Sequence, residues 1–297
     1  MRVKTPPKPG ETVLGWDFQE PMDGGKGSNQ AIAAARLGAQ VTFVGCVGDD
    51  RIGHEGERWM QDANVDTTWL KIHPNVSSGI GFILLDENGI PAMVTSMGAN
   101  AELSHEHIRA ALEQTRGAGV LLTQFEIPVE TAIYAARLGK EMGLRTIVNP
   151  APAPDGFPAG LENASILTPN EIEAKTMLGL PPESDLDPRE MAHMLRERAG
   201  CECVLITLGE LGVVGADSNG ESWWTRPPTL EVVDTSGAGD EFCAALAVGL
   251  AEGMPVRAAS VWACRAASLS VTRPGTIPAY PTREEVANFS WKVINSL

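Results

Sequence analysis

Asp234-Thr-Ser-Gly-Ala-Gly-Asp240 runs directly into Glu241-Phe-Cys-Ala-Ala-Leu-Ala-Val-Gly-Leu250, and this junction decides how the chain is read. Leu230-Glu-Val-Val233 before it alternates like a strand, and the apolar run after it meets no breaker before Gly253. The spacing predicts strand, glycine turn and helix in succession. A Gly-Ala-Gly turn at a helix start leaves backbone N–H groups without partners and aims them at one spot. Glycine lets the chain take positive φ and lets an anion come close, and the helix dipole adds about half a positive charge there. The result is an anion hole with the Asp240 carboxylate beside it. Such a hole stabilises a transferring phosphoryl group, and such a carboxylate accepts a hydroxyl proton. The same residues also suit a plain turn whose Asp caps a helix, and the stretch alone leaves both readings open.

A second glycine turn, Asp23-Gly-Gly-Lys-Gly-Ser-Asn-Gln30, opens the helical run Ala31-Ile-Ala-Ala-Ala-Arg-Leu37, which Gly38 ends. It is not a Walker A loop, because glycine and not Ser or Thr follows Lys26. Lys26 and Asn29 offer donors suited to sugar hydroxyls or phosphate; a polar helix cap is the alternative.

Between and around these turns, strands and helices alternate. Val41–Val47, Gly119–Gln124, Leu144–Val148, Ala164–Thr168 and Cys203–Leu208 read as near-continuous apolar strands, with helices expected up to Met60, from Ser104 to Thr115, after Pro128 and from Pro169. This predicts an α/β fold, a doubly wound, mostly parallel sheet covered by helices on both faces. In such sheets ligands sit beyond the carboxyl ends of the strands, where Glu126, Asn149, Asn170, Glu173, Thr207 and Asp240 all fall. Ser78–Leu85 and Pro91–Met97 flank Asp86-Glu-Asn-Gly89, a hairpin signature that interrupts the alternation. With a short strand in Glu11–Phe18, whose Trp16 and Phe18 share a face, it is expected to form a small β lid. A hairpin over 211–225 buries at most one of Trp223 and Trp224. Helices Val256–Thr272 and Arg283–Ile294 close the chain, the first packing an Ala/Ser-rich face on the glycine-turn helix. With no repeat or linker, residues 1–297 read as one domain.

The net charge is −15 with no basic stripe, which disfavours nucleic acid and membrane surfaces as partners. Anionic ligands must then be held by local groups. Five cysteines without a Cys-x-x-Cys pair suggest reduced, packed thiols. His105-x-His107 stands alone and makes a poor metal site. The sequence shows no signal-peptide pattern and no transmembrane-length apolar run, so a cytoplasmic protein is expected.

Gly24-Gly-Lys-Gly-Ser-Asn-Gln30 and Asp234-Thr-Ser-Gly-Ala-Gly-Asp240 resemble the two signatures of the PfkB carbohydrate kinases. Asn149-Pro-Ala-Pro-Ala153, Thr168-Pro-Asn-Glu171 and Leu205-Ile-Thr-Leu-Gly209 resemble the ribokinase type in particular. The resemblance covers nearly the whole chain. It implies ATP-dependent phosphorylation of a sugar hydroxymethyl group, D-ribose before other sugars or nucleosides, with magnesium and potassium. By position, Asp240 would be the base and the N–H groups of Gly237, Ala238 and Gly239 the anion hole. Gly25, Lys26, Gly27, Asn29 and Glu126 would contact the sugar. Asn170 and Glu173 match a pattern tied to magnesium and phosphate. Thr207, Leu208, Gly209, Glu210, Leu211 and Gly212 would lie along the nucleotide, with Gly239 and Cys264, the latter where a histidine often stands. Asp234, Ser236, Ser270, Arg273 and Gly275 match positions that hold a monovalent cation, although Ala279 replaces a serine that often helps enclose it. The family's first strand, central in the sheet and carrying a sugar clamp, has no counterpart before about Val3. The sequence is therefore expected to start late, and the lid hairpin to lack its N-terminal partner and to be mobile or paired in a homodimer. A scaffold that binds ligand without turnover is the reading from a different class.

Overall fold

In the computed structural model, which describes residues 1–18, 24–88, 91–115, 117–290 and 294–296, the chain begins in the lid. β1 (Arg2–Val3) and β2 (Gly15–Trp16) pair antiparallel. α1 (Lys26–Arg36), β3 (Thr42–Gly48), α2 (Arg51–Asp62) and β4 (Asp66–His73) follow, and β3 and β4 form a parallel pair that stands as a sheet of its own. β5 (Ile80–Leu85) and β6 (Pro91–Ser96) make the expected hairpin, whose turn residue Gly89 lies outside the described residues. β1 adds in parallel to β5, with the Leu85 N–H donating to the Met1 carbonyl at 3.0 Å. The lid is thus a four-stranded sheet in the order β2-β1-β5-β6, so the expectation that the hairpin lacks an N-terminal partner is corrected. Even two residues of β1 suffice to pair the β5 edge.

The main sheet takes the rest. α3 (His105–Gln114), β7 (Val120–Gln124), α4 (Val129–Glu141), β8 (Arg145–Asn149), β9 (Ile166–Leu167), α5 (Glu171–Leu178), α6 (Pro188–Ala199) and β10 (Cys203–Thr207) alternate, and β7 to β10 are parallel. β11 (Val213–Asp217) and β12 (Ser222–Arg226) turn back antiparallel. α7 (Ala238–Ala251), α8 (Val256–Ser270) and α9 (Arg283–Asn288) precede β13 (Ile294–Ser296), which pairs antiparallel with β12. The sheet of seven strands is therefore parallel in one half only.

Strand residues sort by period two between two cores, as side chains on opposite faces must. Ile147, Ile166, Cys203 and Leu205 join α1, α7 and α8; Val148, Leu167, Val204 and Ile206 join α4, α5 and α6. Both faces are covered, the doubly wound arrangement that the apolar strands predict. Trp223 is buried in the first core while Trp224 lies under Arg226, so alternation buries one of the pair. All five cysteines are free and buried.

Three expectations differ. Leu230–Val233 is not a strand: the N–H groups of Val233 and Asp234 donate instead to the Val271 carbonyl at the end of α8. Pro227 and Pro228, which have no N–H, stop the ladder just before it. The last helix ends at Asn288, and Ile294, the last residue of the expected helix, instead opens the strand Ile294–Ser296; residues 291–293 of that expectation lie outside the described residues. β4 was not anticipated, because Asp66, Thr68, Lys71 and His73 break its apolar pattern.

Candidate active site

Gly237 caps α7 in the left-handed region at φ 73°. A side chain there would also meet Thr276 Cγ2 at 2.5 Å and the Tyr280 hydroxyl at 2.7 Å, so glycine is required on both counts. Beyond it, the Ala238 N–H donates to the Thr235 carbonyl at 3.3 Å. That weakens its place in the anion hole. The N–H groups of Gly237 and Gly239 have no protein acceptor among the described residues, and a Cβ at Gly239 would meet nothing within 4 Å. Open space over an unpartnered N–H at a helix N-terminus is what an anion needs. Asp240 follows in the same turn, 7% exposed.

The second glycine turn meets this one. Gly25, at φ 82°, caps α1, and a Cβ on it would fall 2.9 Å from Glu126 Oε2. That same oxygen accepts the Lys26 N–H at 2.7 Å, so the loop is pinned to the end of β7. Burial works against the charge of Lys26, but the carboxylates of Asp240, Glu173 and Glu126 outweigh it and hold the pKa above its ordinary value. Asn29 was expected on the sugar; its Nδ2 donates to Asp240 Oδ2 at 3.2 Å, and its Oδ1 accepts the Gly24 N–H at 3.3 Å. Sequence reasoning missed Gln30, whose Nε2 donates to Asp240 Oδ1 at 2.9 Å. It stands inside the quoted motif, but nothing local shows that it faces a residue so distant in sequence.

A small cleft of about 50 Å³ joins the two turns, lined by Lys26, Asn170, Glu173, Thr207, Gly239 and Cys243 among others. Asn170 and Glu173 form a reciprocal cap at the start of α5: Glu173 N–H donates to Asn170 Oδ1, and Asn170 N–H to Glu173 Oε2, both at 2.8 Å. Burial pushes the Glu173 pKa up against the pull of that N–H and of Lys26. Thr207 bridges to Asn170, and the 207–212 loop closes on itself through the Leu208 N–H and the Gly212 carbonyl at 2.8 Å. Gly212, at φ 93°, lies against the Thr225 carbonyl with no room for a side chain. Cys264 does not line the cleft; it is buried in the core around α7 and α8, and burial pushes its thiol up to about 12. A larger cavity of about 340 Å³ lies between α1, α2 and the turn at 277–279. Arg36 on its wall donates to the carbonyls of Ile277 at 2.6 Å and Tyr280 at 3.1 Å, which braces that turn. The titratable Lys26 and Glu173 line the smaller cleft, not this one.

Asp234 ties two loops together, accepting the N–H groups of Ser236 and Gly275 at 2.9 Å each. Partial burial opposes its charge, yet these bonds and the Ser236 hydroxyl keep its carboxyl below the usual range. Arg273 is held to Glu285 at 2.6 Å, and Gly275 takes φ 81°. One negative charge among carbonyl-bearing turns is a donor set that fits a monovalent cation.

The family model for pfkB family carbohydrate kinases matches residues 17–283. This chain belongs to the pfkB family of carbohydrate kinases. It is 40% identical over 280 residues to the ribokinase of Bacillus subtilis, which covers 94% of this chain and 91% of the relative. Over 282 residues it is 34% identical to the ribokinase of Haemophilus influenzae, covering 95% and 91%. Among solved structures, Arabidopsis thaliana ribokinase complexed with ribose and ATP superposes with a TM-score of 0.83 at 30% identity, covering 97% of this chain and 95% of that one. Membership makes the protein a phosphotransferase acting on an alcohol group, with ATP as the phosphoryl donor. No helix among the described residues is long and apolar enough to cross a membrane.

Proposed function

We propose that the protein transfers the γ-phosphoryl group of ATP to the hydroxymethyl group of D-ribose, giving ribose 5-phosphate, and that residues 1–297 act as one kinase unit with its lid. The observation that carries this reading is the meeting of the two glycine turns: Asp240 beside the open Gly239 N–H, with Lys26 and Asn29 from the other turn facing it. The sugar sits over the 25–29 loop, against Glu126. Asp240 takes the proton of the attacking hydroxyl as the bond to phosphorus forms. Charge developing on the transferred group is met by the N–H groups of Gly237 and Gly239 and by the ammonium of Lys26. The 207–212 loop lies along the nucleotide.

The hard oxygens of Asn170, Glu173 and Thr207 at the cleft fit magnesium, which when bound neutralises phosphate charge. The turns of Asp234, Ser236, Ser270, Arg273 and Gly275 fit potassium, which when bound reinforces the positive potential of the neighbouring glycine turn. We place the protein in the cytoplasm as a homodimer paired through the lid. Exposed apolar side chains at that sheet support the pairing: Val94 on β6 is 71% exposed, and Leu14, just before β2, is 91% exposed.

The test is ATP consumption with D-ribose and magnesium, in potassium and in a large organic cation at equal ionic strength, with the product identified by ³¹P and ¹³C NMR. Turnover with ribose, faster in potassium, is expected. Phosphorylation of another sugar or a nucleoside in preference to ribose would replace the substrate, and no turnover of any sugar would leave the scaffold reading.

A further inference from the structure

Gln30 is 1% exposed, and the mechanism above asks nothing of it. Its side chain is the centre of a chain of amides. Gln30 Nε2 donates to Asp240 Oδ1 at 2.9 Å and to Asn149 Oδ1 at 3.3 Å, and Gln30 Oε1 accepts from Gln124 Nε2. Asn149 Nδ2 in turn donates to the Thr168 carbonyl at 2.7 Å. Oxygen and nitrogen of a side-chain amide are assigned from such networks, and here one end removes the choice. A backbone carbonyl only accepts, so Asn149 must present its NH2 to Thr168 and its oxygen to Gln30. Gln30 must then present its NH2 to Asn149, and the second proton of that group points at Asp240. Its oxygen is left for Gln124. The polarity of the whole chain is set by the Thr168 carbonyl, and it ends at the carboxylate.

We infer that Gln30 is a positioning residue for the general base: its amide, locked in one orientation by Asn149 and Gln124, holds Asp240 Oδ1 in register with the acceptor hydroxyl. This rests on the reading of Asp240 as base. Asn29 holds the other oxygen at 3.2 Å, so both come from α1, the helix that also carries the sugar loop. Each carboxylate oxygen has a second lone pair, so holding them leaves acceptor capacity for the hydroxyl. Base and sugar loop are thereby built as one piece, which is how an attack geometry is kept within a fraction of an ångström.

Two measurements test it. In steady-state turnover of ribose and ATP, Gln30→Leu is expected to lower kcat about 10–100-fold, the loss of a hydrogen bond to a charged group, with both KM values nearly unchanged. Gln124→Leu should lower kcat less, and the double variant should be no worse than Gln30→Leu, because Gln124 acts through Gln30. The second measurement needs no turnover. The ¹³C side-chain carboxyl resonance of Asp240, assigned by its loss in Asp240→Asn, is titrated in the wild type, in Gln30→Leu and in the isosteric Gln30→Glu. The midpoint should rise in Gln30→Leu and further in Gln30→Glu, which sets a second carboxylate against the first. The other groups facing Asp240 stay the same throughout: Lys26 on α1, Glu173 on α5, and Glu241 and Cys243 on α7. An unmoved midpoint in both variants, a loss confined to KM, or additive effects of Gln30→Leu and Gln124→Leu would overturn the inference. A wild-type protein that turned over no sugar would refute the kinase reading, while the titration would still decide whether Gln30 holds Asp240.

Discussion

Gly237→Ala and Gly239→Ala separate the two uses of the α7 turn, stability and chemistry. At Gly237 the added methyl must sit at φ 73°, which costs an L-residue roughly 1–2 kcal/mol. It also lands 2.5 Å from Thr276 Cγ2 and 2.7 Å from the Tyr280 hydroxyl. Both neighbours are buried, so the crowding adds about 1–3 kcal/mol of overpacking. The sum, roughly 2–5 kcal/mol, is a large share of the stability of a typical domain, about 5–15 kcal/mol. Gly239 has no positive φ, sits inside α7, and offers open space to a methyl. Alanine there, the second residue of α7, should stabilise the helix by at most about 0.5 kcal/mol, less than at an interior position, since glycine is the poorer helix former. A phosphoryl group held at this turn needs the same open space as the methyl, so transfer should fall at least about 10²-fold, the usual cost of losing one oxyanion donor. Urea unfolding and initial rates of ATP consumption, measured on both variants, give four numbers. If Gly239→Ala kept full activity, the open N–H would not be where the phosphoryl group goes. If Gly237→Ala unfolded like the wild type, the contacts with Thr276 and Tyr280 would not be rigid.

Asp240→Asn keeps the shape and removes the base; turnover should fall about 10²–10⁴-fold with ATP binding by calorimetry unchanged, and a variant with a tenth of the wild-type rate would refute the assignment. Glu241 is fully buried beside Asp240 with no hydrogen-bond partner for either oxygen among the described residues, and burial raises its pKa well above the ordinary carboxylate value, only partly offset by Arg36. In the folded state it therefore keeps its proton after the unfolded chain has lost it. The folded state then binds more protons, so stability falls as pH rises above about 4.5 toward the folded pKa. Glu241→Gln should remove that slope, gaining little over wild type in urea unfolding at pH 5 and clearly more at pH 8; an equal gain at both would show that ionisation is not the cause. Val94→Glu puts a charge on the exposed lid face and should convert a dimer to a monomer by light scattering, and a dimer that persisted would place the interface elsewhere.

The junction at 234–250 was legible because its signals are local: two glycines, an acid and a breaker-free apolar run predict a helix N-terminus, and α7 begins at Ala238. The parallel strands β7 to β10 were legible for the same reason, as short apolar runs between helices. β4 was not, because most of its residues are polar and only its pairing with β3 makes it a strand. The lid partner was missed since two residues, Arg2 and Val3, carry no periodicity at all. Within the site, residue types named Asp240, Lys26 and Glu173 as candidates, but the role of a glutamine depends on what it faces. Nothing around Gln124 or Gln30 points to an aspartate on α7, the neighbouring helix on the same face of the sheet. Asn170 and Glu173 show the opposite case, a local pattern whose visible role is to cap α5.

Gln30 and Asp240 are separated by 210 residues, so the base and the amide that aligns it come from opposite ends of synthesis. At about 5–20 residues per second, Gln30 leaves the ribosome roughly 10–40 s before the aspartate it will hold. Until then α1 lacks the α7 surface that buries it, and the sugar loop it carries has no base. Nascent chains and fragments ending before Asp240 can therefore display a glycine loop without being able to consume ATP, and the onset of activity doubles as a signal that the last fifth of the chain has docked.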